Sequence, residues 1–113
     1  MYQAQVIKPI PIVTSSYECL HRYLERAQEA LVHGDKTALR DYATSARAVL
    51  NSLDSALDYS FGELATALHS VYAYISKLID MVLLGQDQFC RMSVCLELSA
   101  GLARAWKAVN PDA

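Results

Sequence analysis

Residues 57–84 read LDYSFGELATALHSVYAYISKLIDMVLL, and the order of apolar and polar side chains along them decides the fold. Phe61, Leu64, Leu68, Tyr72, Ile75, Ile79 and Val82 recur at steps of three and four, which a 3.6-residue turn brings to one side of a helix. Ser60 and Glu63 have the spacing of a capping box and Gly85 is a natural left-handed terminator, so the spacing predicts a helix over 61–84. A second apolar stripe, Ala67, Val71, Tyr74, Leu78 and Met81, runs beside the first. Two readings of it stay open: an all-round apolar helix is as a rule a central, buried one, and such a stripe also suits the floor of a groove for an amphipathic partner helix.

Working outward, the same periodicity appears three more times. Asp35 is placed to cap a helix over 36–58 carrying Leu39, Tyr42, Ala43, Ala46, Val49, Leu50, Leu53 and Leu57. Before it, Leu20, Tyr23, Leu24, Ala27 and Leu31 mark a helix ending at His33, with Gly34 as its terminator. Its start has two candidates: a capping box of Ser15 with Glu18, or Pro11 as first helical residue. The expected span is 12–33, with residues 1–11 as an arm. Beyond Gly85, Asp87 is placed to cap a helix over 88–109 with Phe89, Met92, Leu96, Ser99, Leu102, Trp106 and Val109 on one side, until Asn110 and Pro111 stop it. Connections of a few residues force successive helices to run antiparallel. The expected architecture is all-α: one domain over 1–113, an up-down-up-down four-helix bundle with a short N-terminal arm.

Composition narrows the function. Hydrophobic residues are 53% of the 113 and charged ones 19%, a balance that favours burial over disorder. The net charge of −2 lacks the cluster of Lys and Arg that nucleic acid requires. Pro9 and Pro11 interrupt the only apolar stretch near the N-terminus, and no run is long enough to span a bilayer. The chain reads as soluble and cytoplasmic, without membrane insertion. Cys19, Cys90 and Cys95 cannot all pair within one chain.

Catalytic and metal chemistry finds little support. Glu18 and His21 have the Glu-x-x-His spacing of di-iron bundles, but that ligand set needs a second such pair and the sequence has one. Cys90 and Cys95 are five residues apart, about 140° around a helix axis, so their thiolates diverge and both read as small buried hydrophobes. His69 sits in HSVYAY, without the lysine and glycine that follow the acceptor of phosphotransfer bundles. Asp54 and Asp58, one turn apart near a helix end, read as solvated. There is no Gly-x-Ser-x-Gly and no glycine-rich phosphate loop among only four glycines. The expectation is a protein-binding bundle with no enzymatic activity, cofactor or metal.

The segment LDYSFGELATALHSVYAYI, residues 57–75, resembles the signature of the FliS family of flagellin export chaperones. Leu57, Asp58, Gly62, Glu63, Ala65, Leu68, Tyr72 and Tyr74 fall on family positions, with Leu64 and Val71 replacing similar aliphatics. Tyr17, RAQEALVHGD and LARAWKAV resemble the first helix with its turn, and the last helix, so the likeness covers nearly the whole chain. Phe61 stands where the family usually has the first glycine of a pair. The arm carries Tyr2 alone where relatives carry several tyrosines, with Val6, Ile7 and Ile10 beside it.

The resemblance implies a carrier that holds the C-terminal segment of newly made flagellin, prevents its premature polymerisation and delivers it to the flagellar type III export apparatus. The export gate and other flagellar regulators are further partners on that reading. The candidate contact residues are Tyr2 and Ile7 of the arm and Val71, Tyr74 and Leu78 of the third helix. The competing readings are a phosphate-relay or metal-binding bundle resting on His69 or on Glu18 with His21, and a self-associating domain in which the second stripe is a homodimer seam. The expected oligomeric state is a monomer or weak homodimer.

Overall fold

The computed structural model describes residues 10–109. Helix α1 spans Ile10–His33, α2 Lys36–Ser55, α3 Glu63–Leu83 and α4 Gln88–Val109, with a short 3-10 turn, Tyr59–Phe61, between α2 and α3. Each helix packs on two neighbours: α1 and α3 both lie against α2 and α4, and occupy opposite corners. This is the antiparallel four-helix bundle expected from the four apolar stripes. It measures 49 × 24 × 18 Å.

Side-chain size sets how closely the helices approach. Ala27 and Ala30 on α1 and Ala43 and Ala46 on α2 are all buried, and α1 against α2 is the most extensive of the four pairings. Larger residues fill the middle: Leu20 and Leu24, Leu50, Tyr72 with Ile75 and Ile79, and Met92 with Cys95. The seam of α3 runs Ala65, Leu68, Tyr72, Ile75, Ile79, Val82 in strict three-four alternation, the spacing of bundle packing.

The ends of the helices explain most differences from the sequence reading. Helix α1 begins at Ile10 and runs through Pro11 and Ser15. The start near Pro11 therefore describes it better than a cap at Ser15, since a proline lacks only an N–H that the first turn does not use. At its far end the Asp35 N–H bonds to the Ala30 carbonyl at 2.9 Å around Gly34, whose φ is 70°. Asp35 then caps α2, its carboxylate accepting from the Ala38 N–H at 3.0 Å. The same closure ends α3, where the Gln86 N–H bonds to the Met81 carbonyl at 2.9 Å around Gly85. Both are the left-handed glycine termini that satisfy orphan carbonyls.

The Ser60–Glu63 capping box is not formed. Helix α2 stops at Ser55, and Asp58 organises the turn that follows, its carboxylate accepting from the Ser60 N–H at 3.0 Å and hydroxyl at 2.6 Å. Gly62, at φ 61° and ψ −116°, stands at the N-cap of α3 with no side-chain cap bond. Asp87 has a left-handed φ of 51°, outside the extended region of an ordinary N-cap, and its carbonyl accepts the Arg91 N–H at 3.0 Å.

Three apolar residues exchange sides. Leu64 and Phe89, expected in the core, are exposed: Ala65 takes the inward position at the start of α3, and Phe89 stands in the first turn of α4, before Met92, the first buried residue of that helix. Leu78, expected on the outward stripe, is only 3% exposed and belongs to the core. Cys95 is buried as expected, whereas Cys90 is exposed and Cys19 half-buried; the angular separation that keeps the two α4 thiols apart also sends Cys90 outward.

Candidate functional site

The helices place their polar groups in two settings, inside the core and along one seam. Inside, the hydroxyls of Tyr17 on α1 and Tyr72 on α3 meet at 2.6 Å, joining the two helices that do not otherwise pack. Both residues are 2% exposed, and burial pushes both phenol pKa values up, that of Tyr72 further through the neighbouring Tyr17 and Asp54. The Trp106 ring tilts against Tyr17 at a centroid distance of 6.2 Å. Between α1 and α4 the Ser99 hydroxyl donates to the Leu96 carbonyl at 3.0 Å, so His21 Nδ1, 2.7 Å away, donates to Ser99 Oγ. Glu25 lies 3.5 Å from His21 Nε2. Serine, histidine and carboxylate thus stand in line, but Ser99 is fully buried and its proton is committed to the backbone, which makes the group a structural tie.

The residues raised as metal or phosphate candidates are engaged in the same way. Glu18 pairs with Lys107 at 3.2 Å, away from the His21–Ser99 bond. His69 Nδ1 lies 2.6 Å from Asp54 on α2. Among the described residues no three His, Cys, Asp or Glu side chains converge as a metal site would need, and no helix is long and apolar enough to cross a membrane.

What remains is a contrast between the two flanks of α3. The flank toward α2 carries His69, Ala73, Ser76 and Asp80, which line a cleft with Leu50, Asn51 and Asp54. Positions 71 and 73 are about 200° apart around a helix, so Leu64, Ala67, Val71 and Leu78 lie on the other flank, toward α4. Glu63, one turn before Ala67, and Lys77, one turn after Tyr74, border that flank. Leu64 is 54% exposed, Tyr74 beside it 51%, Ala67 is exposed and Val71 half-buried. On α4, Leu98 and Ala105 lie about 180–200° around from Lys107, which points at α1. They therefore continue the apolar strip, Leu98 half-buried and Ala105 exposed, with the half-buried Arg91 two turns before Leu98 on the same side.

Of the five residues the sequence nominated, two lie on this surface: Tyr74, exposed, and Val71, half-buried. Leu78 shares their flank but is covered, and Tyr2 and Ile7 lie outside the described residues. Leu64, Leu98 and Ala105 were missed. Leu64 stands three residues before Ala67 and four before Leu68, so its spacing fits either stripe of α3, and Leu98 and Ala105 fall outside the Met92–Trp106 stripe that the periodicity marks on α4.

A strip of exposed apolar side chains on a folded bundle is the kind of surface that another polypeptide covers; Val32, Tyr59, Leu84 and Phe89 are exposed elsewhere on the bundle. The strip offers leucine, valine and tyrosine contacts and no nucleophile, acid–base pair or metal ligand. Comparison with individual curated proteins gives no match. Comparison with family models matches residues 2–113 to the family described as flagellar protein FliS. That match spans essentially the whole chain and agrees with the four-helix bundle observed. The chain belongs to the FliS family of flagellar export chaperones.

Proposed function

We propose that this chain binds the C-terminal segment of flagellin along the apolar strip formed by α3 and α4, keeps that segment from polymerising in the cytoplasm, and presents it to the flagellar type III export apparatus. The observation that carries the reading is the exposure of Leu64 and Tyr74 on α3, with Val71 half-buried between them. A segment that folds as it binds forfeits roughly 2–5 kcal/mol in ordering, which apolar burial at roughly 25 cal/mol per Å² recovers over a strip of this kind. Binding needs no nucleotide or metal, and release needs only a competing surface. Tyr2 and Ile7 of the arm are proposed as additional contacts.

Calorimetric titration with the C-terminal segment of flagellin from the same organism tests this. The expected result is saturable one-to-one binding with a large negative heat-capacity change. Tyr74→Glu is expected to weaken it at least tenfold with an unchanged melting temperature. Absence of binding by the wild-type chain, or full binding by the Tyr74→Glu variant, overturns the placement of the client.

A further inference from the structure

The seam between α2 and α3 is built differently from the other three. It is the least extensively packed helix pair, and a cleft of about 320 Å³ runs along it, floored by Leu50 and Tyr72. Two polar straps cross it, one an Arg–Asp ion pair and the other a His–Asp hydrogen bond that is an ion pair only when the imidazole is protonated. Asp54 of α2 meets His69 of α3 at 2.6 Å, and Arg47 of α2 meets Asp80 of α3. Leu50 falls between Arg47 and Asp54 along α2, and Tyr72 between His69 and Asp80 along α3. At about 1.5 Å per residue the two straps are roughly 10 Å apart on α2 and roughly 16 Å apart on α3. By contrast, α1 meets α2 through buried alanines, and α1 meets α4 through the buried Ser99.

We propose that the α2–α3 seam is a charge-latched opening of the bundle. The straps hold the cleft shut over Leu50 and Tyr72, and when they release, α2 and α3 part locally while the pairings of α1 with α2 and α4 persist. Surface ion pairs of this exposure are individually weak and are screened by salt. They therefore suit a closure that must be reversible, whereas a seam held by interlocked core side chains opens only with the whole domain.

Thiol labelling tests this on the full chain carrying Cys19→Ser and Cys90→Ser. Leu50→Cys puts a reporter under the straps, and native Cys95, fully buried on α4, reports opening of the rest of the core. Where Leu50→Cys costs too much stability, Ser76→Cys is a near-isosteric reporter lining the same cleft. Adding Asp54→Asn and Asp80→Asn is expected to raise labelling in the cleft roughly five- to tenfold and leave Cys95 unchanged. Reversing one strap in the parent, Arg47→Asp with Asp80→Arg and Asp54 retained, is expected to leave cleft labelling at the parent rate. Equal acceleration at both thiols would mean that the bundle opens only as a whole. That result overturns the proposal, as does a cleft rate indifferent to removal of the charges.

Discussion

Replacing Tyr17 by Phe removes one hydroxyl from the core and should cost more than the bond itself is worth. The Tyr17 and Tyr72 hydroxyls are each other's partners at 2.6 Å, and both residues are 2% exposed. A typical hydrogen bond contributes about 1 kcal/mol net, but a buried polar group left without a partner loses its full solvation, about 1–3 kcal/mol. Tyr17→Phe strands the Tyr72 hydroxyl and Tyr72→Phe strands that of Tyr17, so each single variant is expected to lose about 1–3 kcal/mol. Removing both hydroxyls leaves two apolar rings of nearly the same shape, and the double variant is expected within about 1 kcal/mol of wild type. The cycle should therefore show a coupling of at least about 1 kcal/mol. Urea unfolding followed by circular dichroism, with the fluorescence of Trp106 as a local reporter beside Tyr17, measures all four proteins. A double variant as unstable as the sum of the singles would refute the reasoning, because it would mean that the hydroxyls act independently.

Further outcomes follow from single features. Asp35→Ala removes the acceptor of the Ala38 N–H and is expected to cost about 1 kcal/mol, read as a lower urea midpoint at constant m-value. Gly62→Ala meets no neighbouring atom, but its backbone stands at φ 61° and ψ −116°, so the cost, about 1–3 kcal/mol, is conformational alone and should be the same for Gly62→Ser. Alkaline pH should destabilise the bundle. Burial pushes the Cys95 thiol up to about 12 from 9.0 and raises both core tyrosines above 10.0. The unfolded chain thus sheds these protons first, and stability that is intact below pH 9.0 declines as pH rises above it. Thermal melts between neutral pH and pH 11 (about one unit above an ordinary tyrosine) should show that decline, beginning later in Cys95→Ala. Finally, Leu64→Ser should leave stability within about 0.5 kcal/mol of wild type while weakening client binding, whereas Leu78→Ala should lose about 2–5 kcal/mol. Comparable melting temperatures for these two variants would contradict the assignment of Leu78 to the core.

The number of helices, their order and their antiparallel course were legible in the sequence, because three-four apolar spacing and short connections are local properties that admit few arrangements. Gly34, Asp35 and Gly85 were legible for the same reason, since their roles depend on the backbone of a few neighbouring residues. The choice between Leu64 and Ala65 was not. Both stand at helical spacing from Leu68, and only the positions of α2 and α4 around α3 decide which turns inward.

Similar reasoning separates Val71 and Tyr74 from Leu78. The sequence shows one continuous stripe, and the tertiary packing covers its C-terminal part while leaving the N-terminal part open. The Tyr17–Tyr72 bond, fifty-five residues apart along the chain, and the two polar straps across the α2–α3 seam are contacts between helices, and their partners have no sequence spacing by which to be found. The sequence by itself determined that this chain is a four-helix bundle with more apolar surface than its core consumes. Where that surplus lies was decided by the tertiary structure, because a helix has one periodicity but as many possible outward faces as there are ways to surround it.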